Sequence, residues 1–128
     1  MREILFRGKR KDNGEWVYGS LIQRKVWSSE FYVIRVEDNG FDSYEEYEII
    51  PETVGQFTEL CDKNGKKIFE GDFVKCQNYH GEVCGEVAYC ESFFYLMCFS
   101  GYSDEYLFNC KNFEVIGNVH DNPELSGE

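Results

Sequence analysis

Residues 51–75 read PETVGQFTELCDKNGKKIFEGDFVK, from Pro51 to Lys75, and the turn formers and apolar anchors in this stretch decide the fold class. Asn64-Gly65 is a strong short-range hairpin signal, because the pair supplies two positive-φ positions for a tight turn. It stands between two strand-like runs, Val54 to Leu60 and Lys66 to Phe69, the second carrying the apolar anchors Ile68 and Phe69. Gly71-Asp72 then breaks the chain before a new strand that opens Phe73-Val74-Lys75. Pro51 fits the first turn of a helix, and Gly55 limits that helix to about one turn. Each of these jobs is architectural, and the stretch holds no catalytic group.

Working outward, the same grammar recurs. Asn-Gly also occurs at Asn13-Gly14 and Asn39-Gly40, and no window of about ten residues or more keeps a helical period. Strands are expected at Glu3–Gly8, Glu15–Trp27, Phe31–Val36, Tyr44–Ile50, Val54–Leu60, Lys66–Phe69, Phe73–Asn78, Glu82–Cys90, Phe93–Phe99, Glu105–Cys110 and Phe113–Val119. The fold class is mainly β, built of antiparallel strands and hairpins. The five short strands after Glu70 predict an SH3-like small barrel or roll at the C-terminal end. The expected organisation is an N-terminal β region over 1–60, the SH3-like barrel or roll over 61–120 packed on it, and a flexible tail over 121–128.

Composition narrows the function. The 128 residues are 42% hydrophobic and 17% aromatic with 2 Pro, which excludes a disordered chain. The apolar run Phe93–Phe99 is far shorter than the roughly 20 residues that span a bilayer. No basic-then-apolar leader is apparent at the N-terminus, so the expectation is a cytoplasmic protein without membrane contact. The 6 Cys contain no CxxC pair and read as buried, reduced thiols. The net charge of −11 is unevenly placed: Arg2, Arg7, Lys9, Arg10 and Lys11 crowd the start, and Lys111 is the only basic residue after Lys75. The acidic belt of Glu37, Asp38, Asp42, Glu45, Glu46, Glu48 and Glu52 would repel phosphate backbones, which disfavours nucleic acid as a partner.

Taken in order, the motifs Glu3-Ile-x-Phe-Arg7, Tyr18-Gly-Ser-Leu21, Pro51-Glu-Thr-Val-Gly-Gln-Phe-Thr58, Asp62-Lys-Asn-Gly65, Glu70-Gly-Asp72, Glu114-Val-Ile-Gly-Asn118 and Asn122-Pro-Glu-Leu125 span nearly the whole chain. Together they resemble the YopX family of phage and prophage proteins. The resemblance implies a mostly β fold and a phage or prophage origin within a bacterium, and it carries no established activity onto any residue. The chain departs from the pattern mainly in the cysteine-rich, acidic stretch Cys76 to Cys110.

Enzymatic readings lack parts. There are 2 His: His80 reads as a turn residue and His120 adjoins the tail. His80 with Cys84, Cys90 and Cys76 matches no zinc spacing. Asp38, Asn39 and Asp42 lack the alternating ligands of an EF-hand. Glu45 and Glu46 alternate onto opposite strand faces and cannot act as a glycosidase pair. No catalytic residue, metal or cofactor is therefore expected. What remains is recognition by surface, through rigid amphipathic aromatics and flanking charge. The expected interaction surface comprises Trp16, Tyr18, Trp27, Tyr44, Tyr47, Glu45, Glu46, Lys9, Arg10 and Lys11, with Tyr32, Tyr79, Tyr102 and Tyr106 as further aromatics. The leading expectation is a non-enzymatic phage accessory protein that binds a host or phage protein, or itself as a homo-oligomer. The alternative is a nucleic-acid-linked module, with the basic N-terminal edge on DNA or the acidic belt mimicking DNA to occupy a host DNA-binding protein.

Overall fold

The computed structural model describes residues 4–37, 43–99 and 104–125. These form β1 (Phe6–Lys9), β2 (Trp16–Val26), β3 (Ser29–Glu37), β4 (Tyr44–Glu48), β5 (Gly55–Cys61), β6 (Lys67–Phe69), β7 (Asp72–Asn78), β8 (Gly81–Cys90), β9 (Phe93–Cys98), β10 (Glu105–Tyr106) and β11 (Lys111–Asn118). Short 3-10 turns cover Pro51–Thr53, Leu107–Asn109 and Pro123–Leu125. Two antiparallel sheets result, and the mainly β expectation holds. The chain divides into two compact units, Met1–Phe57 and Thr58–Glu128, with β5 running through the division.

In the first unit the strand order is β4-β3-β2-β1, and β1 pairs on its other side with the opening residues of β5. The long β2–β3 hairpin pairs Ser20 with Arg35 through Val26 with Ser29, leaving Trp27 and Ser28 as its turn. Ile34 and Ile49 are fully buried, joined by Val33 and Phe57. Asn13-Gly14 lies in a four-residue loop closed by the Arg10 N–H donating to the Glu15 carbonyl at 2.8 Å. Asn39-Gly40 lies outside the described residues.

The second unit is a meander, β7 through β10, to which β11 returns alongside β7, giving the order β10-β9-β8-β7-β11. Its core is Ile68, Val74, Cys76, Val83, Val87, Leu96, Leu107 and Phe113. Alternation explains the set: Val83, Gly85 and Val87 of β8 point one way, opposite Cys76 and Val74 of β7 and Cys98 and Leu96 of β9. Burying each such side chain contributes about 1.5–3 kcal/mol. The sheet does not close into the expected SH3-like barrel, since β10 and β11 are both edges. The reason lies in the segment expected to be strand from Glu105 to Cys110. After two paired residues the chain turns into the 3-10 helix and inserts Leu107 into the core, which ends the pairing.

The Asn64-Gly65 hairpin also differs in detail from expectation. The Asp62 N–H donates to the Lys66 carbonyl at 2.7 Å and the Gly65 N–H to the Asp62 carbonyl at 2.9 Å. The loop therefore has three residues, and of the pair only Gly65, at φ 84°, occupies the left-handed region. The buried Asp62 carboxylate selects this loop. Its Oδ1 accepts the Asn64 and Lys66 N–H groups, each at 2.9 Å, and its Oδ2 accepts the Val115 N–H at 3.0 Å, tying the hairpin to β11. Burial alone would push this carboxyl up, but the N–H groups of Val115, Lys66 and Asn64 outweigh it and hold the group below the usual carboxylate range.

Beyond β11, the stretch expected to be tail is hydrogen-bonded as far as Leu125. Asn122 accepts the Asn118 N–H on its Oδ1 at 3.2 Å and donates its own N–H to the Asn118 carbonyl at 2.8 Å. The Leu125 N–H then donates to the Asn122 carbonyl at 3.0 Å.

Candidate functional site

The ten residues of the expected interaction surface all lie in the first unit, where most of the charged ones neutralise one another; of the further aromatics Tyr32 lies there too, Tyr79 and Tyr106 lie in the second unit, and Tyr102 lies outside the described residues. β1 and β2 pair Arg7 with Tyr18 and Lys9 with Trp16. The Arg7 guanidinium lies 4.5 Å and the Lys9 ammonium 5.4 Å from the Trp16 ring centre. Arg10 stacks 4.3 Å over Tyr47 while donating to both oxygens of Asp12 at 2.9 and 2.7 Å. That contact raises Arg10 and lowers Asp12. Lys11 meets Glu48 at 3.3 Å. Arg35 lies 4.0 Å over Tyr44 and donates to Glu46 at 3.0 Å, and Arg24 donates to the same oxygen. The two guanidiniums, Arg24 first, hold the Glu46 carboxyl below its usual range. Glu45 faces the other side, opposite Val36, and accepts the Tyr47 hydroxyl, which pushes that phenol up. Glu45 and Glu46 thus serve opposite faces, as strand alternation requires.

Of the ten, three aromatics stay open to solvent, Tyr18, Tyr44 and Trp27, and among the further aromatics Tyr79 and Tyr106 are exposed too. Trp27 is 94% exposed at the β2–β3 turn with φ at 58°, a backbone region in which a bulky side chain is strained.

The second unit holds a larger aromatic surface that sequence reading had not put together. Cys90 pairs with Phe93, Ala88 with Tyr95, and Tyr95 with Tyr106, so alternation places Phe93, Tyr95 and Tyr106 on one face. Phe93 and Tyr106 meet edge to face at 5.5 Å, and Tyr106 stacks on Phe108 at 5.2 Å with an interplanar angle of 5°. Phe93, Tyr106 and Phe108 nevertheless remain 51%, 47% and 69% exposed. Beside them lies a cavity of about 390 Å³, lined by the rings of Phe93, Tyr95 and Tyr106 and by Glu91, Asp104 and Glu105, with Cys90 at its edge. Glu91 and Ser92, the β8–β9 turn, both sit at positive φ, 52° and 75°. The available signal was the run Phe93-Phe94-Tyr95: three consecutive rings on a strand must leave at least one facing outward.

The thiols are less uniformly buried than expected. Cys76 is buried, Cys61 and Cys90 are exposed, and all six are free. Burial, then the neighbouring Cys110, raises the Cys76 thiol far above its ordinary range. His80 sits in the β7–β8 turn, its N–H donating to Asn78 at 2.8 Å. Among the described residues no three His, Cys, Asp or Glu side chains converge as a metal site. Among those residues, too, no helix is long and apolar enough to cross a membrane.

Fold and surface together define an all-β protein of two antiparallel sheets with solvent-facing aromatic patches. The family model described as YopX protein matches residues 5–126, and the chain belongs to the YopX family. Among solved structures it is similar to "Crystal structure of protein EF1440 from Enterococcus faecalis", at 23% identity and a TM-score of 0.57 over 98% of this chain and 99% of that one. That likeness shows the fold. No curated protein matches the chain.

Proposed function

We propose that this protein is a non-enzymatic phage or prophage accessory protein of the bacterial cytoplasm that works by binding another protein through the aromatic face of its second unit. The observation that carries this reading is the Phe93–Tyr106–Phe108 row. Three rings held against one another in solvent are rigid, so docking on them costs little side-chain entropy, and aromatics of this kind dominate interface energetics.

A foreign partner is favoured over self-pairing because the open strand edges are poor templates for a second copy. β4 carries Glu45, Glu46 and Glu48, β6 and β10 are only three and two residues long, and β11 has two register shifts against β7. The nucleic-acid reading has less support, since Arg10 and Lys11 are committed to Asp12 and Glu48 and Lys9 lies over Trp16.

The test is capture from nuclease-treated lysate of the phage-carrying bacterium by tagged wild type and by the Phe108→Ser variant. A stoichiometric protein retained by wild type and lost by the variant supports the reading. Identical captures by both, or none by either, remove it.

A further inference from the structure

We infer that the cavity beside Tyr106 receives an arginine side chain from an exposed, basic segment of the partner. This rests on the binding reading above and names the chemistry of what docks.

The chain's own cations show how it holds a guanidinium. In the first unit two stacked guanidiniums are each held by both a ring and a carboxylate. Arg35 lies 4.0 Å over Tyr44 with Glu46 at 3.0 Å, and Arg10 lies 4.3 Å over Tyr47 with Asp12 at 2.7 Å. The cavity in the second unit presents the same two ingredients, the Phe93, Tyr95 and Tyr106 rings and the Glu91, Asp104 and Glu105 carboxylates. The segment that builds it contains no cation of its own: no Lys or Arg occurs between Lys75 and Lys111. Among the described residues, Glu105 accepts the Asn109 side-chain amide at 3.1 Å, and no ion pair engages any of the three carboxylates.

Electrostatics and shape then select the guest. Three carboxylates around rings set up a negative potential that a cation relieves, and ring faces attract a cation within about 6 Å of their centres. A guanidinium suits the site better than an ammonium, because its plane stacks on a ring while its edge donates in a fork to a carboxylate. The volume of about 390 Å³ is in the range of ligand pockets, roughly 300–1,000 Å³, and large for one side chain alone. It accommodates the side chain with its flanking backbone. The Phe108 ring, stacked on Tyr106 outside the cavity, supplies apolar contact for what flanks the arginine.

The test uses the full chain and three fluorescent Gly/Ser peptides, identical except for two positions bearing arginine, lysine or citrulline. Fluorescence anisotropy gives affinity. Alkylation of Cys90, at the cavity edge, is compared with that of Cys61, which is exposed and outside the cavity. The expected result is saturable binding of the arginine peptide and slowed alkylation of Cys90 alone. Affinity should weaken about fivefold in Tyr106→Ala, and similarly in Glu91→Gln, a carboxylate removed without change of size. Citrulline should abolish binding, and lysine should weaken it.

Equal binding of arginine and citrulline peptides, or affinity unchanged in both variants, overturns the inference. So does protection of Cys90 by spermidine with none by the arginine peptide, which would make the site one for free polyamines. Continued protection of buried Cys76 from alkylation verifies that each variant is folded. Loss of a captured protein in Phe108→Ser without arginine selectivity retires the arginine inference and leaves the binding reading in place. Absence of any captured protein retires the binding reading.

Discussion

Replacing Asp62 should loosen the second unit more than any single surface change. Asp62 is 7% exposed, and its carboxylate accepts three backbone N–H groups and joins the β5–β6 hairpin to β11. Charge-assisted bonds are worth about 1.5–3 kcal/mol each, so three at the low end approach 4.5 kcal/mol. Water recovers part of this in Asp62→Ala, because Asn64 and Lys66 are exposed turn residues, whereas Val115 is half-buried. The expected net loss is about 3 kcal/mol, and about 1.5–2 kcal/mol for Asp62→Asn, which keeps one acceptor oxygen and faces the remaining N–H with a donor. With a urea slope of about 2 kcal/mol/M, the alanine variant should lower the midpoint by about 1.5 M. Alkylation of Cys76, buried in this unit, reports its unfolding separately from that of the first unit.

The pH dependence gives a second check. The folded carboxyl titrates below the ordinary value of 3.8. Its contribution is therefore present above that value and is lost as pH falls through the folded one. The wild-type advantage over Asp62→Asn should hold from pH 8 to about pH 5 and shrink toward pH 3. A midpoint shift below about 0.3 M for Asp62→Ala, or a wild-type advantage constant down to pH 3, would refute the clasp.

Further outcomes follow from backbone geometry and thiol burial. A Cβ on Gly19 would lie 2.0 Å from the Arg35 carbonyl oxygen, so Gly19→Ala should cost about 3 kcal/mol or more, measured as a urea midpoint by Trp fluorescence. Gly14→Ala meets nothing within 4 Å and should cost only about 1 kcal/mol, for its positive φ. Ser92→Gly relieves a left-handed serine at φ 75° and should stabilise the second unit by about 0.5–1 kcal/mol, read by Cys76 alkylation in urea. In the native protein iodoacetamide should modify Cys61 and Cys90 within minutes and leave Cys76 untouched, checked by peptide mass spectrometry. Leu96→Ala empties a fully buried site and should cost about 3 kcal/mol by urea denaturation, which early exposure of Cys76 would accompany.

Local chemistry made the strands legible. Asn13-Gly14 and Asn64-Gly65 do lie in hairpin loops, and Pro51 does start a single 3-10 turn, because turn residues act through their own φ preferences, whatever surrounds them. The departures arose where core packing or a side-chain partner decided. Leu107 left the strand pattern and is buried in the core, and Asn122 folded back onto Asn118, with the Leu125 N–H then donating to the Asn122 carbonyl.

The surface divides the same way. Sequence alone determined that the chain is β, aromatic-rich and electrically lopsided, since alternation, turn residues and charge are properties of neighbours along the chain. It could not say which rings face water. Trp16 and Tyr47 lie under Arg7 and Arg10, brought over them by pairing between β1 and β2 and by the bridge between Arg10 and Ile49. Phe93, Tyr106 and Phe108 meet only because β10 returns alongside β9. Exposure of a ring is set by what covers it, and in a sheet those partners come from strands far away in sequence, so only the tertiary structure could show which rings of the second unit face solvent.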